Sequence, residues 1–286
     1  MGTRRTFLHQ IGAGLSVAGL GVAQTGAARL GCQTNAWTIN PHDFSTLLGV
    51  LGKLKGYGYA GFETGFANVQ DQFNDAAEAK RKLEDSGLQF FGVHIFLNQY
   101  DPQTLIAPVD LYRKIADGGA KLGAQRLILS GAPASDKAAL ARKSAALNEA
   151  GKYAKNAGLR LCYHNHWPEF EKGAAEIEGL VAATDPALVS FVIDAGHAVR
   201  AKADVPDFLR RHSTRLDGMH LRDFKGDEQV PLGSGTFPLA PLAASIRSSR
   251  WMGWLLNEEE RPNFKPGDTA VAPARATLVK YFGGTV

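Results

Sequence analysis

The chain has 286 residues, 44% hydrophobic and 21% charged, which excludes a disordered or membrane-embedded protein. Its formal charge is +4; Arg4 and Arg5 are the only charged residues up to residue 28, beyond which 30 Lys and Arg face 28 Asp and Glu. That near balance, without a long basic run, argues against a nucleic-acid surface. The two cysteines, Cys32 and Cys162, lie in apolar runs and read as small buried thiols rather than a disulfide framework.

Residues 1–28 read as an export leader. Arg4 and Arg5 give the positive start, residues 11–23 a mildly apolar Gly/Ala-rich stretch, and Gly26-Ala27-Ala28 a small-residue end. The stretch is too short and too weakly apolar to span a membrane well. Thr3-Arg4-Arg5-Thr6-Phe7-Leu8 resembles the twin-arginine export signal, whose cargo crosses already folded. The expectation is a periplasmic protein, free of the membrane once the leader is removed.

Past the leader, short apolar runs of β character alternate with longer amphipathic stretches. The runs are 30–35, 60–63, 89–94, 126–130, 160–165, 189–194, 216–221 and 253–258; helical patterns over 44–56, 109–122 and 137–157 lie between some of them. Glycines punctuate the helix ends at Gly56, Gly87, Gly123 and Gly158. Eight strands alternating with helices imply a parallel (β/α)8 TIM barrel, one domain over residues 29–286. A doubly wound open sheet is the rival, but no Gly-x-Gly-x-x-Gly follows a strand.

In such barrels active sites form at the C-terminal ends of the strands. Glu63, His94, His164, His166, Asp194, His220 and Glu258 all fall at or near those ends, where a purely structural barrel would carry Val, Ile or Leu. Singly, each is more often a satisfied core polar group than a ligand. Together, imidazoles and carboxylates from several strands suit a divalent metal.

At these residues the chain resembles the xylose isomerase-like barrel superfamily: sugar isomerases and epimerases, inosose dehydratases and endonuclease IV. The likeness spans about residues 30–282 and rests on Gly58-Tyr59-Ala60-Gly61-Phe62-Glu63, Tyr163-His164-Asn165-His166, Asp194-Ala195-Gly196-His197, His220-Leu221-Arg222-Asp223 and Glu258-Glu259-Glu260-Arg261. Each motif is weak alone; their order and spacing are specific for the superfamily but not for one activity. The resemblance implies one divalent ion (Mn, Zn or Co) held by a Glu, an Asp, a His and a Glu from the fifth to eighth strands. The last three map onto Asp194, His220 and Glu258. The first does not: His164 stands where the family has Glu, which raises the net charge of the site by one, and Glu169 is the alternative ligand.

Losing that Glu puts a symmetric two-base epimerisation in doubt. Metal-assisted removal of a proton α to a sugar carbonyl, through an enediolate, survives it, with Glu258, Glu169 or His166 as base. Elimination, the reaction of the related dehydratases, needs one base and one acid. Glu63, His94, His197 and Arg222 are the candidate substrate contacts. Their blander roles are a helix cap for Glu63, packing for His94, orientation of a ligand for His197 and pairing with Asp223 or Asp227 for Arg222. Trp37, Phe66 and Trp167 are candidate walls for a sugar face, or core. The leading expectation is an exported, metal-dependent isomerase, epimerase or lyase acting on an unphosphorylated keto- or hydroxy-sugar, such as a 3-keto-glycoside. The alternatives are a non-catalytic sugar-binding barrel and an endonuclease IV-like repair enzyme, which needs more metal ligands and a basic surface. A small-molecule sugar is the expected partner, without nucleic acid; a homo-oligomer is left open.

Overall fold

The computed structural model describes residues 28–260 and 267–283; the leader expected over residues 1–28 lies, but for Ala28, outside them. Ala28 itself is buried in the core beside the first strand. The chain runs β1 (Arg29–Gln33), α1 (Phe44–Gly56), β2 (Gly61–Gly65), α2 (Ala76–Asp85), β3 (Gln89–Ile95), α3 (Val109–Lys121), β4 (Arg126–Leu129), α4 (Lys137–Asn156) and β5 (Arg160–His164). It continues with α5 (Glu171–Ala183), β6 (Val189–Asp194), α6 (Ala195–Arg200), α7 (Val205–His212), β7 (Leu216–Leu221), a hairpin β8 (Asp223–Lys225) and β9 (Glu228–Val230), α8 (Leu239–Ser249), β10 (Trp254–Asn257) and α9 (Asp268–Phe282). β1, β10, β7, β6, β5, β4, β3 and β2 close in that order into a parallel barrel. This is the single-domain (β/α)8 architecture that the alternation of runs predicts.

Two apolar layers hold it. The larger lies between strands and helices, with Leu47, Leu51, Ile115, Leu147, Ile177, Leu242 and Leu278 filling it from the helix side. The smaller fills the barrel interior with Phe91, Ile128, Cys162, Val192, Trp254 and Leu256. Strand side chains alternate, so the residue two places after an interior apolar one faces the same way. Ile128 is followed by Ser130, Cys162 by His164, Val192 by Asp194 and Leu256 by Glu258. The apolar layer thus becomes the floor of a polar layer at the strands' C-terminal ends. Helix ends are local sequence effects. Asp43 and Asp136 cap α1 and α4 by accepting from the amides of Ser45 and Ala139. Gly123 and Gly158 follow α3 and α4 at φ 87° and 84°, a conformation other residues adopt at a cost.

Candidate active site

The polar layer lines a cavity of about 500 Å3 at the C-terminal rim, walled by Asn35, His94, His164, His166, His197, Arg222 and Glu258, with Phe66, Phe96 and Glu260 at its sides. Four imidazole rings run across it in sequence: His94 to His164 at 4.8 Å between centroids, His164 to His166 at 5.5 Å and His166 to His197 at 5.6 Å. His220 lies beneath, 4.5 Å from the His164 ring. Its Nδ1 is 2.5 Å from Glu258 Oε2 and its Nε2 is 2.8 Å from Glu63 Oε2. Glu63 turns its other oxygen to within 3.0 Å of His94 Nδ1, while His94 Nε2 meets the Ser130 hydroxyl at 2.9 Å.

Arg222 is buried yet placed among three acids. Its Nε lies 2.8 Å from Asp194 Oδ2, Nη2 2.6 Å from Glu258 Oε2 and Nη1 2.8 Å from Glu260 Oε1. Asn35 Nδ2 donates to the other Glu258 oxygen at 3.1 Å.

These contacts divide the charges. Burial alone would push His220 down, but the Glu63 and Glu258 carboxylates on its two nitrogens outweigh it and raise its pKa well above the usual histidine value. Burial would likewise raise Glu258, but Arg222 and His220 overcome it and hold it well below the carboxylate range. Glu63 is also lowered, its burial outweighed by His220 and His94. His164, by contrast, is pushed well below the ordinary value by burial and by the neighbouring His220 and His94. His166 drops to about 4 through burial and His197, and His197 to about 3 through burial and Arg222. Three neutral imidazoles therefore face the cavity at neutral pH.

One donor set could hold a metal. His164, His220 and Glu258 each offer an atom within 4.8 Å of the others, the one such group among the described residues. His164 Nδ1 is buried without a hydrogen-bond partner there. Glu63, set on His220 Nε2, leaves Nδ1 as the nitrogen turned toward Glu258, the outer-shell arrangement typical of metal-bound histidine. Two imidazoles and one carboxylate fit a zinc-like ion with a position left for substrate.

Several expected roles move. Asp194 is outside the trio: its Oδ1 accepts from the His197 amide at 2.8 Å, capping α6, and its Oδ2 faces Arg222. That Oδ2 is buried with an ion-pair contact to Arg222 but without a hydrogen-bond partner. Glu169, expected as a base or alternative ligand, is not among the residues lining the cavity; its Oε1 accepts from the Tyr163 hydroxyl at 2.7 Å and its Oε2 from the His166 amide at 3.1 Å. Glu63 is fully buried, is not among the residues lining this cavity, and contacts His94 and His220. Arg222 pairs with neither Asp223 nor Asp227. Asp223 accepts from the amides of Phe224, Gly233, Gly235 and Phe237, and Asp227 pairs with Arg200. His94, His197 and Arg222 do line the cavity, as does Phe66; Trp37 is core and Trp167 stands outside the lining. Asn35, Phe96 and Ser130 were not foreseen. Asn35 closes the first run on the parity of Gln33, a signal legible at the strand end.

A closed parallel barrel with a histidine and carboxylate layer at its C-terminal rim, a cationic arginine and a metal-capable trio belongs to the class of barrels built for catalysis at that rim. The chain belongs to the xylose isomerase-like TIM barrel family, whose model matches residues 51–280. It is 30% identical to an inosose dehydratase of Clostridium tetani over 154 residues, 47% of this chain and 48% of that protein. The chain thus matches about half the length of that relative. Among solved structures it is similar to the IOLI protein with a bound zinc atom (TM-score 0.71, 15% identity, 89% of this chain and 99% of that one). It is also similar to 3-keto-D-glucoside 4-epimerase from E. coli (TM-score 0.68, 17% identity, 88% and 99%). At these identities the two structures extend the fold.

Proposed function

We propose that the protein is a divalent-metal-dependent enzyme that isomerises, epimerises or eliminates from an unphosphorylated keto- or hydroxy-sugar, with a 3-keto-glycoside as the favoured substrate. The observation that carries this is the convergence of His164 and Glu258 in the wall, and His220 just beneath it, of a cavity that Arg222 and neutral His166 also face. The inosose dehydratase relative and the 3-keto-glucoside epimerase neighbour support the substrate class, and the zinc-bound neighbour supports the ion. When bound, the ion supplies Lewis-acid polarisation of adjacent substrate oxygens. His166, neutral at working pH and open to the cavity, takes the proton α to the carbonyl. The electron pair moves onto the carbonyl oxygen as an enediolate, whose charge the Arg222 guanidinium stabilises. Return of the proton by His166 to the neighbouring carbon gives the isomer, and delivery of a solvent proton to the opposite face gives the epimer; loss of a β-oxygen substituent, protonated by the His166 imidazolium as it leaves, gives the eliminated product. Aromatic Phe66 and Phe96 offer apolar faces to the ring. The twin-arginine start supports a periplasmic site of action, where unphosphorylated sugars are met.

The test pairs metal analysis with solvent exchange. Purified protein is expected to carry about one Mn, Zn or Co per chain, lost in His164→Ala. It should wash deuterium into the α position of a 3-keto-glucoside or an inosose. Exchange that survives complete metal removal would overturn the metal mechanism. Tight sugar binding without exchange in the loaded protein would make it a binding barrel.

A further inference from the structure

A second cavity, of about 540 Å3, opens at the opposite end of the barrel, where the strands begin. Its walls hold Arg29 from β1, Arg126 from β4 and Arg160 from β5, against one acid, Asp217. Strand alternation aims two of these: Arg126 stands two residues before interior Ile128, and Arg160 two before interior Cys162. Asp217 arrives through a bulge. Phe191 pairs with Leu216 and Val192 with Gly218, so the ladder passes over Asp217 and frees its side chain. The carboxylate lies 2.8 Å from Arg126 Nε and 2.5 Å from Arg160 Nη1.

That pairing accounts for one of three positive charges. Arg29 has no carboxylate partner among the described residues; its side-chain bond is to neutral Gln89, at 3.4 Å. It lies 4.7 Å over the Trp254 ring, and Arg126 lies 4.3 Å over the Phe91 ring, with those two rings 5.4 Å apart. Two guanidinium groups thus sit side by side on an aromatic floor. Burial and then the Arg126 charge lower the pKa of Arg29, and Asp217 offsets them only in part. A plug of the barrel base would need the Arg126, Asp217 and Arg160 contacts alone, and it leaves Arg29 and the solvent-facing edge of Arg160 unused.

We propose that this cavity binds a compact oxyanion of the phosphate or sulfate type, gripped by the forked N–H groups of Arg29 and Arg160 with Arg126 behind them. The site is independent of the sugar-processing rim. The test is calorimetric titration of inorganic phosphate into the full chain, chelator-treated and at constant ionic strength set with chloride. Saturable binding at one site is expected, weakened about tenfold or more in Arg29→Gln and in Arg160→Gln and unchanged in His164→Ala. Met252→Glu, on the exposed lip of the same cavity, places a carboxylate at its mouth without touching the arginine network and should abolish binding even if an arginine variant folds poorly. Glucose 6-phosphate run in parallel separates the sources: equal affinity assigns a free ion, and tighter binding a phosphate ester. Binding that chloride matches, that persists in Met252→Glu, or that vanishes in His164→Ala overturns the proposal.

Discussion

Glu169 shows how a residue's role turns on which way its carboxylate points. Burial raises its pKa, offset in part by Lys143, yet both oxygens are engaged by Tyr163 and by the His166 amide. It shapes the turn that presents His166. Glu169→Gln can keep an oxygen on the His166 amide but turns its NH2 toward the Tyr163 hydroxyl and the Lys143 ammonium 3.8 Å away, so stability should fall by about 1–3 kcal/mol. Turnover should stay largely intact; urea unfolding and the exchange assay read the two effects apart, and a collapse of turnover in a folded variant would restore Glu169 as the base. Glu63 acts on the metal site at one remove, because its carboxylate sets the His220 ring. Glu63→Gln should lower metal affinity about 10- to 100-fold, checked by competition with a chromophoric chelator. Unchanged affinity would mean that His220 needs no such orientation.

At the level of elements, helix ends follow short-range rules well enough to be tuned. α8 closes on Arg250 at φ 52°, an exposed left-handed residue whose amide reaches the carbonyls of Arg247 and Ile246. Glycine adopts that conformation without the side-chain clash, so Arg250→Gly should stabilise the protein by about 0.5–1 kcal/mol. A thermal melt reads it, and a lowered Tm would mean that the arginine side chain holds the turn. The same local rules explain what was legible in the sequence. The runs 189–194 and 216–221 and the helix 44–56 match β6, β7 and α1 residue for residue, and the other predicted runs differ from their elements by at most a few terminal residues. The β8–β9 hairpin, just past His220-Leu221-Arg222, was not legible because its two strands are three residues each, too short to show alternation. Nor was the bulge that turns Asp217 inward, since register is a property of two strands. For the site, the sequence singled out His94, His164, His166, His197, Arg222 and Glu258, which the structure brings to one cavity wall, and His220, which it sets beneath them. It could not show that a helix cap takes one oxygen of Asp194, or that a 3-10 turn takes an oxygen of Glu169, because both contacts are decided by neighbours in space.

The whole molecule holds opposed titrating groups in one buried layer, and this sets its response to pH. His166 and His197 have folded pKa values of about 4 and about 3, below the ordinary 6.5. Between those values and 6.5 the unfolded chain binds protons that the folded chain refuses, so stability falls as pH drops through that window. Each such histidine contributes a slope of roughly 1.4 kcal/mol per pH unit once the unfolded side chain is protonated. His220 runs the other way. Its raised pKa stabilises the fold fully below the unfolded value, and that contribution is lost only as pH rises through the folded one. Glu63 and Glu258, both lowered, add stability that disappears as acid protonates them below the carboxylate range. On the acid side the lowered histidines and glutamates therefore destabilise together, opposed by His220 and by the carboxyls that burial raises, Asp194, Glu169 and Glu259, the last to about 8. In chelator-treated protein the three lowered histidines make urea midpoints decline from about pH 6.5 to pH 4.5, against the rise that Glu259 contributes over the same interval. In His197→Gln one of the three histidine contributions is absent, so the pH dependence should shift toward a shallower decline over the same interval. Parallel curves for parent and variant would show that His197 gains its proton as readily in the folded barrel as in the unfolded chain, and that the cavity is wetter than its walls imply.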